Sequence, residues 1–331
     1  MSILNAIPRV IISHTPTPLE PMPQFSTLFE RNVYVKRDDC TGLAGGGNKT
    51  RKLEFLVAAA LASNADTLIT VGGIQSNHAR QTAAAAAKFG LGCELVLEDV
   101  QGTPKLDYYQ NGNILLNQLL GANIHYLSDG ESSNEYVIKL TEKLIKAGKN
   151  PYFIPMGGSN EIGSLGYVKC AQEIISQIKA QEIALDHIVL ATGSAGTQAG
   201  LLAGLILEGI NIPVTGICVS RPAKEQVSIV QALLERTLLL LGLDKKLAQE
   251  RVFANGEYYG DGYGIPTAEM IEAVKLCAQY EGLILDPVYT GKGMSGLIDL
   301  CRKNTFTKGS NILFLHTGGS QGVFAYQETF S

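Results

Sequence analysis

The sequence predicts an α/β protein whose sheets are parallel or mostly parallel and flanked by helices. Short β-branched runs alternate with helix-like stretches along most of the chain. Those runs are continuously apolar, the pattern of strands covered on both faces, and do not alternate with polar residues. The length, 331 residues, favours two domains or one large α/β unit over a single small module.

The elements follow in order. TLITVGG at 67–73 precedes the alanine-rich SNHARQTAAAAAKFG at 76–90, and CELVLED at 93–99 precedes NILLNQLLG at 113–121. PYFIPMGG at 151–158 leads to GSLGYVKCAQEIISQIKA at 163–180, and HIVLATG at 187–193 leads to TQAGLLAGLILEG at 197–209. PVTGICVS at 213–220 leads to KEQVSIVQALLERTLLLLG at 224–242, and NILFLHTGG at 311–319 closes the series. Alanine is the best helix former, so the run at 83–87 reads as a closely packed helix. Folds of this class carry ligands at the carboxyl ends of their strands, in the loops that lead into helices. The chemistry is expected in those loops.

Composition narrows the functional classes. Hydrophobic residues make up 45% and charged residues 18%, an ordinary globular balance that excludes wholesale disorder. The formal charge of −4, with no long basic run, points to neither nucleic acid nor an anionic membrane surface as partner. No apolar run approaches the roughly 20 residues that span a bilayer. The six cysteines are scattered with no C-x-x-C pair, so reduced thiols and no metal site are expected. With no secretory signal pattern at the N-terminus, the expected compartment is the cytoplasm.

Five stretches can carry chemistry. In CTGLAGGGNKTRKLEFLVAAAL, Gly45, Gly46 and Gly47 let the backbone approach a ligand, and Asn48 is placed to cap a following helix. Lys49 falls at the helix start, where the positive dipole end disfavours an ammonium and favours an amine nucleophile. A solvated lysine in a turn fits this stretch equally well. In TGSAGTQAGLLAG, small residues after a strand leave converging N–H groups, and Thr192, Ser194 and Thr197 add hydroxyls. With the helix N-terminus, Thr192, Gly193, Ser194, Ala195, Gly196 and Thr197 form a phosphate cradle that needs no lysine or arginine. Tight helix–strand packing is the alternative; a dinucleotide site is not, because G-x-G-x-x-G is unmet.

In VGGIQSNHARQT, Gln75, Ser76, Asn77 and His78 stand where a strand gives way to a helix, so their donors can gather round a carboxylate. Alone, Ser76 or Asn77 could be a simple cap, and His78 a structural histidine. Tyr263 and Tyr289 lie in Gly/Pro-rich loops ahead of helices, where a ring can face a cofactor and a phenol can handle a proton, although a lone tyrosine is often core filler. Thr317 follows the last strand, with Gly318 and Gly319 allowing close approach.

Taken together, these blocks resemble the fold-type-II pyridoxal-phosphate enzymes of the D-cysteine desulfhydrase and 1-aminocyclopropane-1-carboxylate deaminase family. The likeness runs over nearly the whole chain: K-R-D-D from Lys36, G-G-G-N-K-T-R-K-L-E at 45–54, G-G-I-Q-S-N-H at 72–78, T-G-S-A-G-T at 192–197, L-D-P-V-Y-T-G-K at 285–292 and H-T-G-G at 316–319. It implies a two-domain, tryptophan synthase β-like fold, with a smaller domain over 50–160 and a larger one from 1–49 plus 161–331. It implies pyridoxal 5'-phosphate as cofactor, an amino-acid substrate and a homodimer. Lys49 would be the Schiff-base lysine, Asn77 the partner of the cofactor's phenolic oxygen, and 192–197 the phosphate loop. Ser76, with Gln75, Asn77 and His78, would receive the substrate carboxylate, and Tyr263 and Tyr289 match the family's two active-site tyrosines.

Two positions separate the branches. The deaminases carry a glutamate directly after the tyrosine of D-P-V-Y and a leucine before the last Gly-Gly; here these are Thr290 and Thr317. His78 also matches the desulfhydrase branch, where deaminases tend to have glutamine. A threonine near the pyridine nitrogen offers only a neutral hydrogen bond, which favours rapid expulsion of a β-leaving group. The resemblance therefore implies β-elimination from D-cysteine. A deaminase, a lyase for L-cysteate or D-serine, and a cofactor-binding sensor without turnover are the alternatives.

Overall fold

A computed structural model describes residues 3–100 and 106–331. The chain runs β1 (Leu19–Pro21), α1 (Pro23–Phe29), β2 (Asn32–Arg37), α2 (Lys49–Ala62), β3 (Thr67–Gly73), α3 (Asn77–Phe89) and β4 (Gly92–Glu98). It continues through α4 (Leu106–Gln110), α5 (Asn113–Leu119), β5 (Asn123–Tyr126), α6 (Ser133–Lys146), β6 (Pro151–Ile154), α7 (Glu161–Ala180), β7 (His187–Thr192) and α8 (Gly196–Leu207). The remainder is β8 (Val214–Cys218), α9 (Ala223–Leu240), β9 (Phe253–Asn255), α10 (Ala268–Leu276), α11 (Thr290–Arg302), β10 (Asn311–His316) and α12 (Gln327–Phe330).

The strands form two sheets. The larger has order β1-β2-β10-β7-β8-β9 and the smaller β5-β4-β3-β6. All ladders are parallel except β1 against β2. The larger sheet joins both ends of the chain, since β10 pairs with β2 from Asn311↔Asn32 to His316↔Arg37.

Both faces of each sheet are covered, which is why the strands read as unbroken apolar runs. Ile188 and Leu190 of β7 pack with Leu313 and Leu315 of β10 beneath α7, α8 and α9. Val189, Ile312 and Phe314 turn to the other face, against Met294 and Leu297 of α11. In the smaller sheet, Leu68, Leu95 and Leu97 face α2 and α3, while Ile69, Val71 and Val96 meet Val137 and Leu140 of α6. Each such side chain contributes about 1.5–3 kcal/mol on burial.

The seating of α2 matters most for function. A Cβ at Gly166 would stand 2.3 Å from the Arg51 carbonyl oxygen, so α7 and α2 meet backbone to backbone. Buried Arg51 pairs with Asp38 at 2.8 Å and Glu173 at 3.0 Å, tying the first turn of α2 to the end of β2 and to α7. Removing one member of such a buried cluster would leave an uncompensated charge.

Candidate active site

The loops after β3, β7 and β10 and the start of α2 converge on one cleft. Its inner wall is formed by Asn48, Lys49, Asn77, residues 191–195, Thr197, Gln198, Tyr289, Thr317 and Gly318. The cleft holds about 410 Å³ with its open mouth included. Farther out, Ser76, His78, Glu98, Met156, Arg221 and Tyr263 line the continuation of the same space.

Lys49 is the first residue of α2 and is 7% exposed. Burial pulls its ammonium down to about 8 from 10.5; Asp286 opposes this and Arg80 reinforces it. The depressed basicity anticipated from the helix dipole is therefore present, but withdrawal from water is its main cause. Lys49 Nζ donates to Asn48 Oδ1 at 2.9 Å and lies 5.6 Å from the centre of the Tyr289 ring. Asn48 corrects a second expectation. Its side chain makes no helix-capping bond and instead donates to Thr197 Oγ1 at 2.9 Å, joining the amine to the 192–197 loop.

That loop folds as a cradle. Ala195 adopts φ 75 and ends the turn without a side-chain cap, so the first N–H groups of α8 lack intrahelical acceptors. Ser194 Oγ accepts from Ser159 Oγ at 2.8 Å, and Gln226 donates to Thr192 Oγ1 at 2.9 Å. A Cβ at Gly196 would stand 2.7 Å from Ser159 Oγ and 2.9 Å from Lys52 Nζ, so glycine is needed there. The same contact brings a lysine next to a cradle that the sequence reading built without needing one. Lys52 is fully buried beside the cradle, its ammonium held by Gly157 O at 3.0 Å and Ser159 Oγ at 3.2 Å. Burial, and then nearby Lys49, push its pKa well below the usual lysine value.

Ser76 caps α3: its Oγ accepts from Ala79 N at 3.1 Å, leaving the hydroxyl proton free to donate. A Cβ at Gly72 would meet Ser76 Oγ at 2.7 Å, so the glycine makes room for this hydroxyl. Asn77 lines the cleft beside it. Two neighbours depart from expectation. Gln75 does not reach the cleft: its amide donates to Tyr108 O at 2.6 Å and Asn111 O at 2.9 Å and accepts from Asn113 N. His78 is buried and held neutral by desolvation, which lowers its pKa well below 6.5. Thr70 Oγ1 lies 2.8 Å from His78 Nε2 and 2.8 Å from Ile154 O, so the ring is tied to β3 and β6. Nδ1 of His78 has no hydrogen-bond partner among the described residues, and the ring lines the outer part of the cleft.

Tyr263 and Tyr289 meet edge to face, with hydroxyl oxygens 2.7 Å apart. Burial raises both phenols above their usual pKa, so they stay protonated at neutral pH. Thr317 faces the inner cleft, whereas Thr290 does not line it. The Thr290 hydroxyl donates to Asp286 Oδ1 and accepts from Asp286 N, both at 2.7 Å. Asp286 also accepts from the Val288, Tyr289 and Thr290 amides, which holds it against the start of α11. Lys52, Arg80 and Asp286 escaped sequence reasoning. The first two had a signal, since each lies three residues after a recognised site residue and so shares its helical face. Asp286 had none beyond its place in L-D-P-V-Y.

The cleft suits a phosphorylated aldehyde. It offers a buried amine of lowered basicity, a glycine-rich cradle with a second buried lysine beside it, and an amide in the wall between them. The pyridoxal-phosphate dependent enzyme family model matches residues 10–318. D-cysteine desulfhydrase of Yersinia pestis (strain Pestoides F) is 44% identical over 323 residues, covering 98% of this chain and 97% of the relative. D-cysteine desulfhydrase of Salmonella typhi is 45% identical over 323 residues with the same coverage. A solved structure described as an ACC deaminase homologue matches with TM-score 0.89 and 40% identity, covering 99% of this chain and 97% of its own. With buried Lys49, the glycine-rich loop beside it and these full-length matches in agreement, this chain belongs to the pyridoxal-phosphate dependent enzymes.

Proposed function

We propose that this enzyme removes hydrosulfide from D-cysteine, giving pyruvate, ammonia and hydrogen sulfide. One observation carries the choice of reaction: among the described residues, the inner cleft has a neutral hydroxyl at Thr317 and no carboxylate. Bound pyridoxal phosphate would supply an electron sink for charge developing at the substrate's α-carbon, and a wall with neutral donors but no carboxylate would keep that sink shallow. A shallow sink favours prompt departure of a β-leaving group such as hydrosulfide. The 44–45% identity to two D-cysteine desulfhydrases supports the same substrate.

The residues divide the work by their chemistry. Lys49 would hold the cofactor's aldehyde carbon, and residues 192–197 with Lys52 its phosphate. Lys49 would also serve as the α-proton acceptor, because a pKa of about 8 leaves a usable neutral fraction near pH 7. Tyr289, kept protonated by burial, is the poorer base and the better donor. The free hydroxyl proton of Ser76 and the first N–H groups of α3 orient the substrate carboxylate. Water then converts the unsaturated amine left after elimination into pyruvate and ammonia.

The two sheets support a division into a smaller unit over 50–160 and a larger one from 1–49 plus 161–331. Six free thiols, five of them buried, support a reducing cytoplasmic setting, and family likeness supports a homodimer. Among the described residues, no helix is long and apolar enough to cross a membrane.

The test supplies D-cysteine, L-cysteine, D-serine, L-cysteate and 1-aminocyclopropane-1-carboxylate separately and measures pyruvate, 2-oxobutyrate, sulfide and sulfite. Equal pyruvate and sulfide from D-cysteine is the expected result. Preferential release of 2-oxobutyrate from the cyclopropane substrate would overturn it, as would a yellow protein that turns over none of the five.

A further inference from the structure

Asn77 opens α3 with its amide between the cleft and a buried charge. Behind it lies Arg80, which has no exposed surface. Arg80 Nη1 donates to Asn77 Oδ1 at 3.0 Å and also to Asn113 Oδ1, while Nη2 donates to Gly46 O at 2.8 Å. Asn113 Nδ2 adds a second donor to the same Asn77 oxygen at 2.9 Å. A guanidinium has donors only, so the Asn77 atom that faces it must be the oxygen. The amide NH2 is thereby turned to the cleft, where Asn77 forms part of the wall. On the opposite side a Cβ at Gly319 would stand 2.6 Å from Asn77 Nδ2, so the loop after β10 closes on the amide without crowding it.

We propose that Arg80 is a positioning residue that locks the Asn77 N–H toward the cofactor's ring oxygen and, by polarising that amide, stabilises the oxygen in its ionised form. The proposal rests on Asn77 being the partner of that oxygen. An unsupported asparagine can turn its amide over with little change of shape. Here the turned amide would set NH2 against both the Asn113 donor and a guanidinium with no exposed surface, two repulsions little screened by water. Among the described residues, the charge also has no carboxylate in direct contact: Asp286 acts on Arg80 from a distance, and Lys49 carries the other nearby positive charge. Most of Arg80's polarising effect therefore falls on its acceptors, Asn77, Asn113 and Gly46.

The test loads each variant with pyridoxal phosphate and records its absorption spectrum at one fixed pH, with the melting of the cofactor-free protein as folding control. The ionised ring oxygen absorbs at longer wavelength than the protonated one, so the band ratio reads its charge state without turnover. Arg80→Gln keeps a donor but removes the charge, and should lower the long- to short-wavelength ratio roughly tenfold, the scale of a lost charge-assisted contact. Arg80→Lys should recover most of that loss, and Asn77→Ala should lower the ratio as Arg80→Gln does. An unchanged ratio in Arg80→Gln beside a lowered one in Asn77→Ala overturns the role of Arg80 and leaves the reading of Asn77 intact. An unchanged ratio in Asn77→Ala overturns that reading itself. Should Arg80→Gln fail to fold, Asn113→Ala decides: Arg80 still holds the amide there, so a wild-type ratio is required. A drop equal to that of Asn77→Ala would transfer the role to Asn113 and sink the proposal.

Discussion

Replacing Lys49 with methionine should make the cofactor-free protein more stable while abolishing its chemistry. Burial holds the Lys49 ammonium near 8 against 10.5 for an exposed lysine. The folded-state value lies below the unfolded one, so proton binding favours unfolding. The penalty is complete below pH 8 and disappears as pH rises from 8 through 10.5. The separation, 10.5 − 8 = 2.5 units, corresponds to about 3 kcal/mol. Methionine fills similar space without a charge, but forfeits the 2.9 Å donation to Asn48 Oδ1, a loss of about 1 kcal/mol. The variant should thus gain about 2 kcal/mol near neutral pH and lose about 1 kcal/mol near pH 10.5. Melting temperatures of the two cofactor-free proteins, compared from about pH 7 to 10.5, should differ by about 2–4 °C at the low end and change order at the high end. A difference that stays constant across this window would refute burial as the cause of the lowered basicity. Retained elimination activity in the same variant would remove Lys49 from the mechanism.

Gly196→Ala should weaken cofactor binding roughly tenfold or more, because its Cβ would displace Ser159 Oγ and Lys52 Nζ from the cradle. Titration of the cofactor-free protein with pyridoxal phosphate measures this, and wild-type affinity would show that the cradle lies elsewhere. Lys52→Met should raise the dissociation constant by roughly 10- to 100-fold through loss of a buried charge-assisted contact with the phosphate; the free aldehyde pyridoxal, lacking phosphate, should bind both proteins alike. Thr290→Val removes the two 2.7 Å contacts with Asp286 and should cost about 2 kcal/mol in denaturant unfolding. A larger loss of activity than of stability in that variant would show that Thr290 reaches the reacting centre after all.

The legible part of the sequence was the part governed by local pattern. Unbroken apolar runs such as HIVLAT mark strands covered on both faces, and β7 and β10 indeed send alternate residues into two separate cores. The stretches between strand and helix marked the cleft, and Lys49, Ser76, Asn77, Tyr263, Tyr289 and Thr317 all line it. Shorter strands escaped notice: β1 and β9 have three residues each, too few for a period to show.

Sequence alone determined the fold class, the cleft-forming loops and the amine at the start of α2, because strand periodicity, glycine punctuation and helix starts are properties of neighbours in the chain. Tertiary structure decided how those groups are used. Asn48 was free by sequence to cap its own helix, yet its amide reaches Thr197, 149 residues away. Gln75 and Thr290 resemble ligand-binding residues in their loops, yet both are committed to other partners, in the 108–113 segment and Asp286. A polar side chain bonds whichever partner packing brings within about 3 Å. That choice is made when sheets and helices assemble, and no local pattern records it.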